Sequence, residues 1–369
     1  MTGLMPMSRQ AMSQRFGPNS SRFLLHCLDQ LLQRKIAEHR ELTLTSQHFR
    51  RICITDSTII SMHKSNAEAF PNNGNGKVST AGVKVDFTFD YLSGEPIDMS
   101  LQSARDPDQK LAENVFLHLE PGDLVMRDMG YFKLSHFAEI EACGAFWISR
   151  LPASVTGAFS DGVSLDERLR KTKRNTLDCH VTLGSRKGGP RVRLVAQRLP
   201  KHIVAANRRQ RRKMAKKRRA TASKQGLRRD EWQIIVCNVG DDKLSAQQLR
   251  DLYRMRWSIE IEFRAFKQSC SYSKAYSRRS NYFHYEAIML AGLLISLMSM
   301  NFAKSALRQG IERRELSREK LYDFVLLAIQ ISTSIGDVLQ TFRRADQRHL
   351  RMDRRKRESL HSSTARALT

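Results

Sequence analysis

The stretch Arg51-Ile-Cys-Ile-Thr-Asp-Ser-Thr-Ile-Ile-Ser-Met62 decides the fold of this chain. Its run of β-branched residues predicts a β-strand, because branched side chains pack well on a pleated surface. Asp56 is the one acidic residue within this apolar run. A carboxylate buried without a partner is costly, so a lone acid in a core strand favours a functional role over a structural one.

The residues around this strand predict a mixed sheet with helices on its faces. Alternating apolar and polar residues over 83–89, followed by a turn and the apolar run 97–101, predict a β-hairpin. The further elements expected are helices over 106–119 and 134–143 and strands over 123–128 and 145–151. Elements in this order predict an α/β fold. Asp128 ends one of the strands, and ligands gather at strand ends of such sheets.

The sequence changes character after about residue 151. Short strands broken by glycines precede the tract 201–230, which holds thirteen basic residues and one acidic residue. This tract is expected to be helical, or disordered until bound, and to contact phosphates; a nuclear-import-like tract is the alternative. A strand over 232–238 and helical sequence from about residue 245 follow. The expected division is an N-terminal helical segment over 1–48, a catalytic domain over 49–150 and 231–305 with a strand-rich, basic insertion over 151–230, and a basic helical region over 306–369.

The composition indicates a nucleic-acid-binding protein. Lysine and arginine total 63 against 37 acidic residues, a formal charge of +26. So large an imbalance costs folding free energy through self-repulsion unless a polyanion neutralises it. The six cysteines show no spacing typical of a zinc site. Residues 287–303 are expected to form a buried core helix, because polar residues interrupt the run at the lower limit of a membrane span.

One helix of the C-terminal half is expected to carry several polar residues on a single face. Residues 252–270 predict an amphipathic helix with an apolar stripe towards the core. At about 100° per residue, one narrow strip beside that stripe holds Tyr253, Arg256, Glu260 and Lys267. Glu262 points away, so a metal ligand from this helix would be Glu260. The alternative is a surface strip in which Arg256 and Glu260 form an ion pair worth about a few tenths of a kcal/mol.

Three motifs, in order along the chain, resemble those of one enzyme family. Tyr253-x2-Arg256-x3-Glu260-x6-Lys267 resembles the Tyr-Arg-Glu-Lys signature of bacterial insertion-sequence transposases of the DDE type. Asp56-Ser57-Thr58 resembles the first acidic motif of that family, and Asp128-x-Gly130-Tyr131-Phe132 resembles the second. The resemblance covers about residues 50–300, and three ordered motifs are far more specific than any one of them.

The resemblance implies a ribonuclease-H-like catalytic domain with a β-rich insertion between the second and third acids. It implies that Asp56, Asp128 and Glu260 are catalytic and hold two Mg²⁺ ions, for which Mn²⁺ can substitute, with Asp56 bridging the pair. It also implies that DNA phosphates near the reacting end are contacted by Tyr253, Arg256 and Lys267. The expected partners are double-stranded DNA, as transposon ends and as target, and a second copy of the chain.

Two other functions remain open at this point. The basic tracts alone would explain a non-catalytic nucleic-acid-binding protein, and the acidic motifs would also suit a metal-dependent nuclease of the same fold. Only 55 residues precede Asp56, fewer than such transposases usually have, so 1–48 is expected to be a truncated DNA-binding domain. The N-terminus lacks the apolar core of a signal peptide, and a cytoplasmic, nucleoid-associated bacterial protein is expected.

Overall fold

A computed structural model describes most of the chain. The described residues are 8–39, 48–73, 80–92, 96–107, 113–184, 189–257, 259–260, 263, 267, 282–308, 316–331 and 350–351. Three sequence predictions lie outside them: much of the two turns expected near residues 74 and 94, the orientation of Glu262, and the basic cluster over 343–357.

The centre of the fold is one nine-stranded mixed sheet. Its strands are β1 Ile52–Met62, β2 Ala81–Asp90, β3 Pro96–Ser103, β4 Leu124–Arg127, β5 Phe146–Arg150, β6 Gly157–Ala158, β7 Thr176–Leu183, β8 Arg191–Arg198 and β9 Trp232–Cys237. The strand order is β3-β2-β1-β4-β5-β9-β8-β7-β6. Strands β1, β4 and β5 run parallel to one another, whereas β2 is antiparallel to β1 and β3. The first five strands therefore have the ribonuclease-H-like order and directions.

Helices cover the two faces of the sheet. They are α1 Arg9–Gln14, α2 Pro18–His39, α3 Leu134–Ala142, α4 Leu165–Lys171, α5 Lys201–Lys217, α6 Lys224–Arg229, α7 Ala246–Arg254, α8 Tyr282–Arg308 and α9 Arg318–Ile331. The predicted α/β fold, a mixed sheet flanked by helices, is confirmed. The helix expected over 287–303 lies within α8, where Tyr285, Met289 and Leu293 are buried in the core. Among the described helices, none is both long and apolar enough to cross a bilayer.

The sheet separates two hydrophobic cores because successive side chains of a strand point to opposite faces. One core holds Ile54 of β1 and Met126 of β4, together with Leu252 of α7. The other holds Val125 of β4 and Trp147 of β5, with side chains of α3 and α4. Residues that alternate along β1 and β4 are thus assigned to different faces, and this alternation fixes where the two strand acids point.

The segment between Asp128 and residue 231 extends the same sheet. Strands β6, β7 and β8 pair in sequence, and β8 pairs with β9, which itself pairs with β5. The strands that the sequence predicts here are therefore present, and they lengthen the sheet to its far edge. Helices α5 and α6 form the connection from β8 to β9.

Two helix predictions are wrong in detail. Within the range expected to be helical over 106–119, residues Asn114–His118 form a short 3₁₀ helix and Leu119 is extended. The helix expected over 252–270 is interrupted, because α7 ends at Arg254 and Met255–Trp257 form a 3₁₀ turn before helical backbone resumes at Ile259. A 3₁₀ helix has about 3.0 residues per turn and an α-helix about 3.6. The 3₁₀ turn therefore rotates the residues before it about the helix axis relative to those after it.

Candidate active site

Asp56 and Asp128 lie side by side on neighbouring parallel strands. The register of β1 and β4 pairs Thr55 with Arg127, and each acid is the next residue in its strand direction. The backbone of Asp128 is extended, so it continues the line of β4 beyond its last paired residue. Neighbouring strands lie about 4.8 Å apart, which brings the two carboxylates to the same end of the sheet.

Both acids point towards the face that carries α7. Asp56 alternates with Ile54 on β1, and Asp128 alternates with Met126 on β4; both hydrophobic partners belong to the core that contains Leu252. The helical backbone after the 3₁₀ turn packs on this same core through Ile259 and Phe263. Glu260 therefore lies on the same side of the sheet as the two strand acids.

Arg256 joins the helical side of the site to the sheet. Its Nη1 donates to Asp56 Oδ2 at 3.1 Å, and its Nη2 donates to Glu260 Oε1 at 3.2 Å. The predicted i, i+4 pair between Arg256 and Glu260 is present, but the guanidinium also spans to a residue 200 positions away. A planar guanidinium suits such a bridge because its donors form a rigid fork.

Burial and two neighbouring carboxylates raise the pKa of Asp56. The pKa of Asp56 is raised to about 6, chiefly by burial and further by Asp128 and Glu260, against the lowering effects of the Ser57 backbone N–H and of Arg256. Repulsion among three acids at one site is a common cause of such a shift. One guanidinium cannot neutralise three carboxylates, so the ionised site keeps a negative charge.

Tyr253 lies inside the protein. It is buried, and its hydroxyl donates to the carbonyl oxygen of Arg127 at 3.2 Å. Burial raises the pKa of Tyr253 to about 12. The bond holds the backbone immediately before Asp128. The hydroxyl of Tyr253 thus already has an acceptor inside the protein.

The remaining residue of the polar strip lies apart from the carboxylates. Lys267 has helical backbone and a half-buried side chain, and burial lowers its pKa. Within the described part of the chain it forms no ion pair with the three acids. Lys267 therefore does not help to hold the acids.

Trp257 is a feature of this site that the sequence pattern did not single out. Its side chain is 54% exposed and follows Arg256 directly, whereas Trp232 is buried beneath the guanidinium of Arg198. Exposed aromatic rings at nucleic-acid sites stack on bases. The only signal available in the sequence was its adjacency to Arg256, since exposure follows from the 3₁₀ turn.

The donor set suits a hard divalent cation. Asp56, Asp128 and Glu260 offer carboxylate oxygens, the ligands that Mg²⁺ prefers. Over the described ranges, no three His, Cys, Asp or Glu side chains are close enough to surround a single ion. A pair of ions needs only two of the three carboxylates for each, with the central acid shared. The carboxylate oxygens and the residual negative charge of the site thus suit a divalent cation, with Arg256 as the counter-charge between Asp56 and Glu260.

A comparison with known families identifies the domain that holds this site. The family described as "Transposase DDE domain" matches residues 47–296, more than half of the chain. The chain belongs to the DDE transposase family. The matched region of this DDE transposase family member contains all of β1 to β9 together with Asp56, Asp128 and Glu260.

Curated relatives of this DDE transposase family member are bacterial. The transposase for insertion sequence element IS231E of Bacillus thuringiensis subsp. finitimus is 27% identical over 281 residues, which are 71% of this chain and 59% of that protein. The transposase for IS1151 of Clostridium perfringens is 22% identical over 342 residues, 86% of this chain and 71% of that protein. The chain thus spans 59% of the length of the IS231 relatives it matches.

A solved structure with a related outline is a piggyBac transposase synaptic complex with hairpin DNA. It matches 85% of this chain and 57% of its own, at 10% identity and a TM-score of 0.45. A likeness of this degree bears on neither the fold nor the activity of this DDE transposase family member.

Proposed function

We propose that this chain is a DNA transposase that cuts the ends of an insertion sequence and joins them to target DNA. Asp56, Asp128 and Glu260 are proposed as its catalytic carboxylates and as ligands of two Mg²⁺ ions. The observation that supports this most is the Arg256 bridge, because it joins Asp56 to Glu260 beside the strand that Asp128 ends. Membership of the DDE transposase family supports the same assignment.

The proposed reaction has two phosphoryl-transfer steps. Water attacks a phosphodiester at the transposon end, its oxygen bonds to phosphorus, and the departing oxygen leaves as a 3′-hydroxyl. That hydroxyl then attacks a phosphodiester of the target, forms a new P–O bond and displaces the target's 3′ oxygen. Bound at the carboxylates, Mg²⁺ would supply activation of the attacking oxygen and neutralisation of charge on the leaving oxygen.

The protein's own residues orient the substrate. Asp56 and Asp128 have fixed positions because adjacent strands hold their backbones, and Tyr253 acts as a positioning residue through the Arg127 carbonyl. Arg256 exchanges its carboxylate partners for a substrate phosphate, for which its bidentate fork is well shaped. Lys267 contacts the DNA backbone farther along the helix. The Tyr-Arg-Glu-Lys signature is thus proposed to work as one positioning residue, two phosphate contacts and one ligand.

The decisive experiment measures cleavage of DNA that carries the sequences flanking this gene. Asp56→Asn, Asp128→Asn and Glu260→Gln should each abolish Mg²⁺-dependent cleavage and leave DNA binding intact, because the remaining carboxylates cannot hold two ions. Glu68→Gln, an exposed acid beyond the end of β1, is the matched control and should cleave normally. Full cleavage by Glu260→Gln would refute the third ligand.

Two alternative functions give different products in the same assay. A nuclease of this fold would release cut ends and never join them to a second DNA, whereas a transposase yields a strand-transfer product. A non-catalytic binding protein would bind DNA without metal and be indifferent to the acidic substitutions. We further propose that two copies of the chain bring paired ends together, and that the protein acts on the bacterial nucleoid in the cytoplasm.

A further inference from the structure

Helix α5 is a strongly basic element on the surface of the sheet's extension. Its 17 residues, Lys201–Lys217, include eight basic residues and no acidic residue. None of its residues is fully buried. A basic helix of this kind most often only exposes its charges to solvent. The orientation and position of α5 decide whether its basic residues can bind a ligand.

One face of α5 is attached to the protein by arginine–carboxylate pairs. Arg211 donates through Nε and Nη2 to the two carboxylate oxygens of Asp230 at 2.8 and 2.7 Å. Arg208 donates to Glu231 Oε1 at 2.5 Å and to the carbonyl oxygen of Leu227 at 3.0 Å. The acids of both pairs lie just after α6, so these two arginines hold the helix in place.

The opposite face of α5 carries a second, unpaired set of cations. At about 100° per residue, an arc of roughly 100° opposite Arg211 contains Arg209, Lys213, Lys216 and Lys217, here called the basic stripe. All four side chains are exposed, and none has an acidic partner in the described part of the chain. Like charges three or four residues apart destabilise a helix. The stripe therefore weakens α5 unless an external polyanion neutralises it.

The topology places the start of α5 at the same end of the strands as the active site. Strand β9 is antiparallel to β5, and Arg150 near the end of β5 pairs with Ile235 near the start of β9. Strand β8 ends where β9 begins, since Arg198 pairs with Trp232. The connection through α5 and α6 therefore leaves and rejoins the sheet at the end of the strands where β4 stops and Asp128 follows.

The ends of the connection through α5 and α6 lie a short distance across the sheet from Asp128. Strand β9 is two positions from β4 in the sheet, and β8 is three positions away. At about 4.8 Å per strand, the connection begins and ends roughly 10 to 15 Å from the line of Asp128. That distance equals about three or four base pairs along a duplex. Helix α6 is joined to α4, whose core lies on the face of the sheet opposite the acids, so a duplex that contacts both the carboxylates and α5 must pass across this end of the sheet.

We propose that the basic stripe of α5 binds the phosphate backbone of the same double-stranded DNA whose cleavage is proposed above, at phosphates other than the reacting one. The inference rests on the proposed function for the identity of the substrate. For the site itself it rests on the division of the α5 cations into arginines paired with acids and exposed residues without an acidic partner. Arg208 and Arg211 fix the helix, while the four stripe residues present charge to the duplex. Such contacts carry no sequence information; they set the position and the salt dependence of binding.

The test is the salt dependence of binding to a short labelled duplex of random sequence, without divalent metal. Each lost phosphate contact lowers the slope of log affinity against log salt by about 0.9. The double variant Arg209→Gln/Lys213→Gln should therefore lower the slope by about 1.8, and neutralisation of all four stripe residues by up to about 3.6. The control is Arg191→Gln, an exposed arginine at the opposite end of the strands, which should leave the slope unchanged.

The thermal midpoint of the variants separates an effect on folding from an effect on DNA binding. The thermal midpoint of the four-residue variant should not fall, because removal of like charges relieves repulsion; a purely structural role of the stripe predicts a lower midpoint. An unchanged salt slope in the stripe variants overturns the proposal. A loss of their affinity for single-stranded RNA without a loss for duplex DNA overturns it too. Since cleavage is not measured, failure of the carboxylate variants in their own assay leaves this outcome unaffected.

Discussion

Asp56 shows how one residue can be fixed by the sheet and controlled by its neighbours. The β1–β4 register sets its backbone, and its side chain accepts from the Ser57 N–H at 2.8 Å and from Arg256. These favourable contacts do not outweigh burial and two nearby acids, so the pKa of Asp56 stays raised, at about 6. The carboxylate is thus held in place at a cost in folding free energy, which a bound cation can offset.

The pH dependence of stability tests this account of Asp56. Because the folded pKa is about 6 and the unfolded value is 3.8, the folded state holds the proton more tightly. The stabilising effect of protonation is full below about pH 4 and is lost as the pH rises through about 6. In chelator, the wild type should lose roughly 3 kcal/mol relative to Asp56→Asn across that window. Urea unfolding of both proteins from acid to neutral pH measures the difference, and parallel curves would contradict it.

At the scale of elements, Arg229 of α6 makes an extensive set of anchoring contacts. Arg229 donates through Nε and Nη2 to the carboxylate of Asp166 at 2.7 and 3.0 Å. Its Nη1 also donates to three backbone carbonyl oxygens, those of Pro152, Ala153 and Val155. This one side chain therefore joins α6 to α4 and to the loop after β5, and it supports the whole basic connection.

Arg229→Ala should lower the free energy of unfolding by about 3 kcal/mol, because it leaves a carboxylate and several carbonyl groups without their donor. Arg228→Ala is the matched control, since Arg228 is the preceding residue of the same helix and its side chain is exposed. That change should stay within about 0.5 kcal/mol of the wild type. Chemical unfolding of the three proteins measures both values. Equal losses in the two variants would mean that helix propensity, and not the anchor, accounts for the effect.

Local patterns predicted most elements but not their interruptions. The strand around Asp56, the hairpin of β2 and β3, and the short strand before Asp128 follow from side-chain alternation and apolar runs. The helix expected over 252–270 is broken at Met255–Trp257, although its apolar spacing is regular. Periodicity measures which residues prefer the core; it is insensitive to a 3₁₀ turn, which tightens the backbone where packing against the sheet requires it.

At the scale of the whole molecule, charge is the dominant feature. The formal charge is +26, so lysine and arginine far outnumber the acidic residues available to pair with them. Exposed ion pairs such as Lys171–Glu167 contribute little to stability, and the unbalanced cations repel one another. Its own net charge therefore destabilises the free protein, and the duplex DNA proposed as its partner would supply the matching counter-charge.

Salt should stabilise the free protein. Raising sodium chloride from about 0.05 to about 0.3 M shortens the range of charge repulsion and should raise the thermal midpoint. The variant neutralised at all four positions of the basic stripe should show a smaller rise, because it carries less repulsion to screen. Differential scanning fluorimetry measures both. A midpoint that falls over this range would show that attractive ion pairs outweigh the net charge.

The sequence by itself determined the α/β fold, the two acid-bearing strands and the polycationic character, because these depend on local alternation and on composition. Tertiary structure decided what the same residues do. Arg256 bridges Asp56 and Glu260 across 200 residues, Tyr253 turns inward to the Arg127 carbonyl, and α5 divides its cations between anchoring and exposure. Such pairings depend on strand register and on the rotation of helices against a sheet, and no local pattern encodes either one.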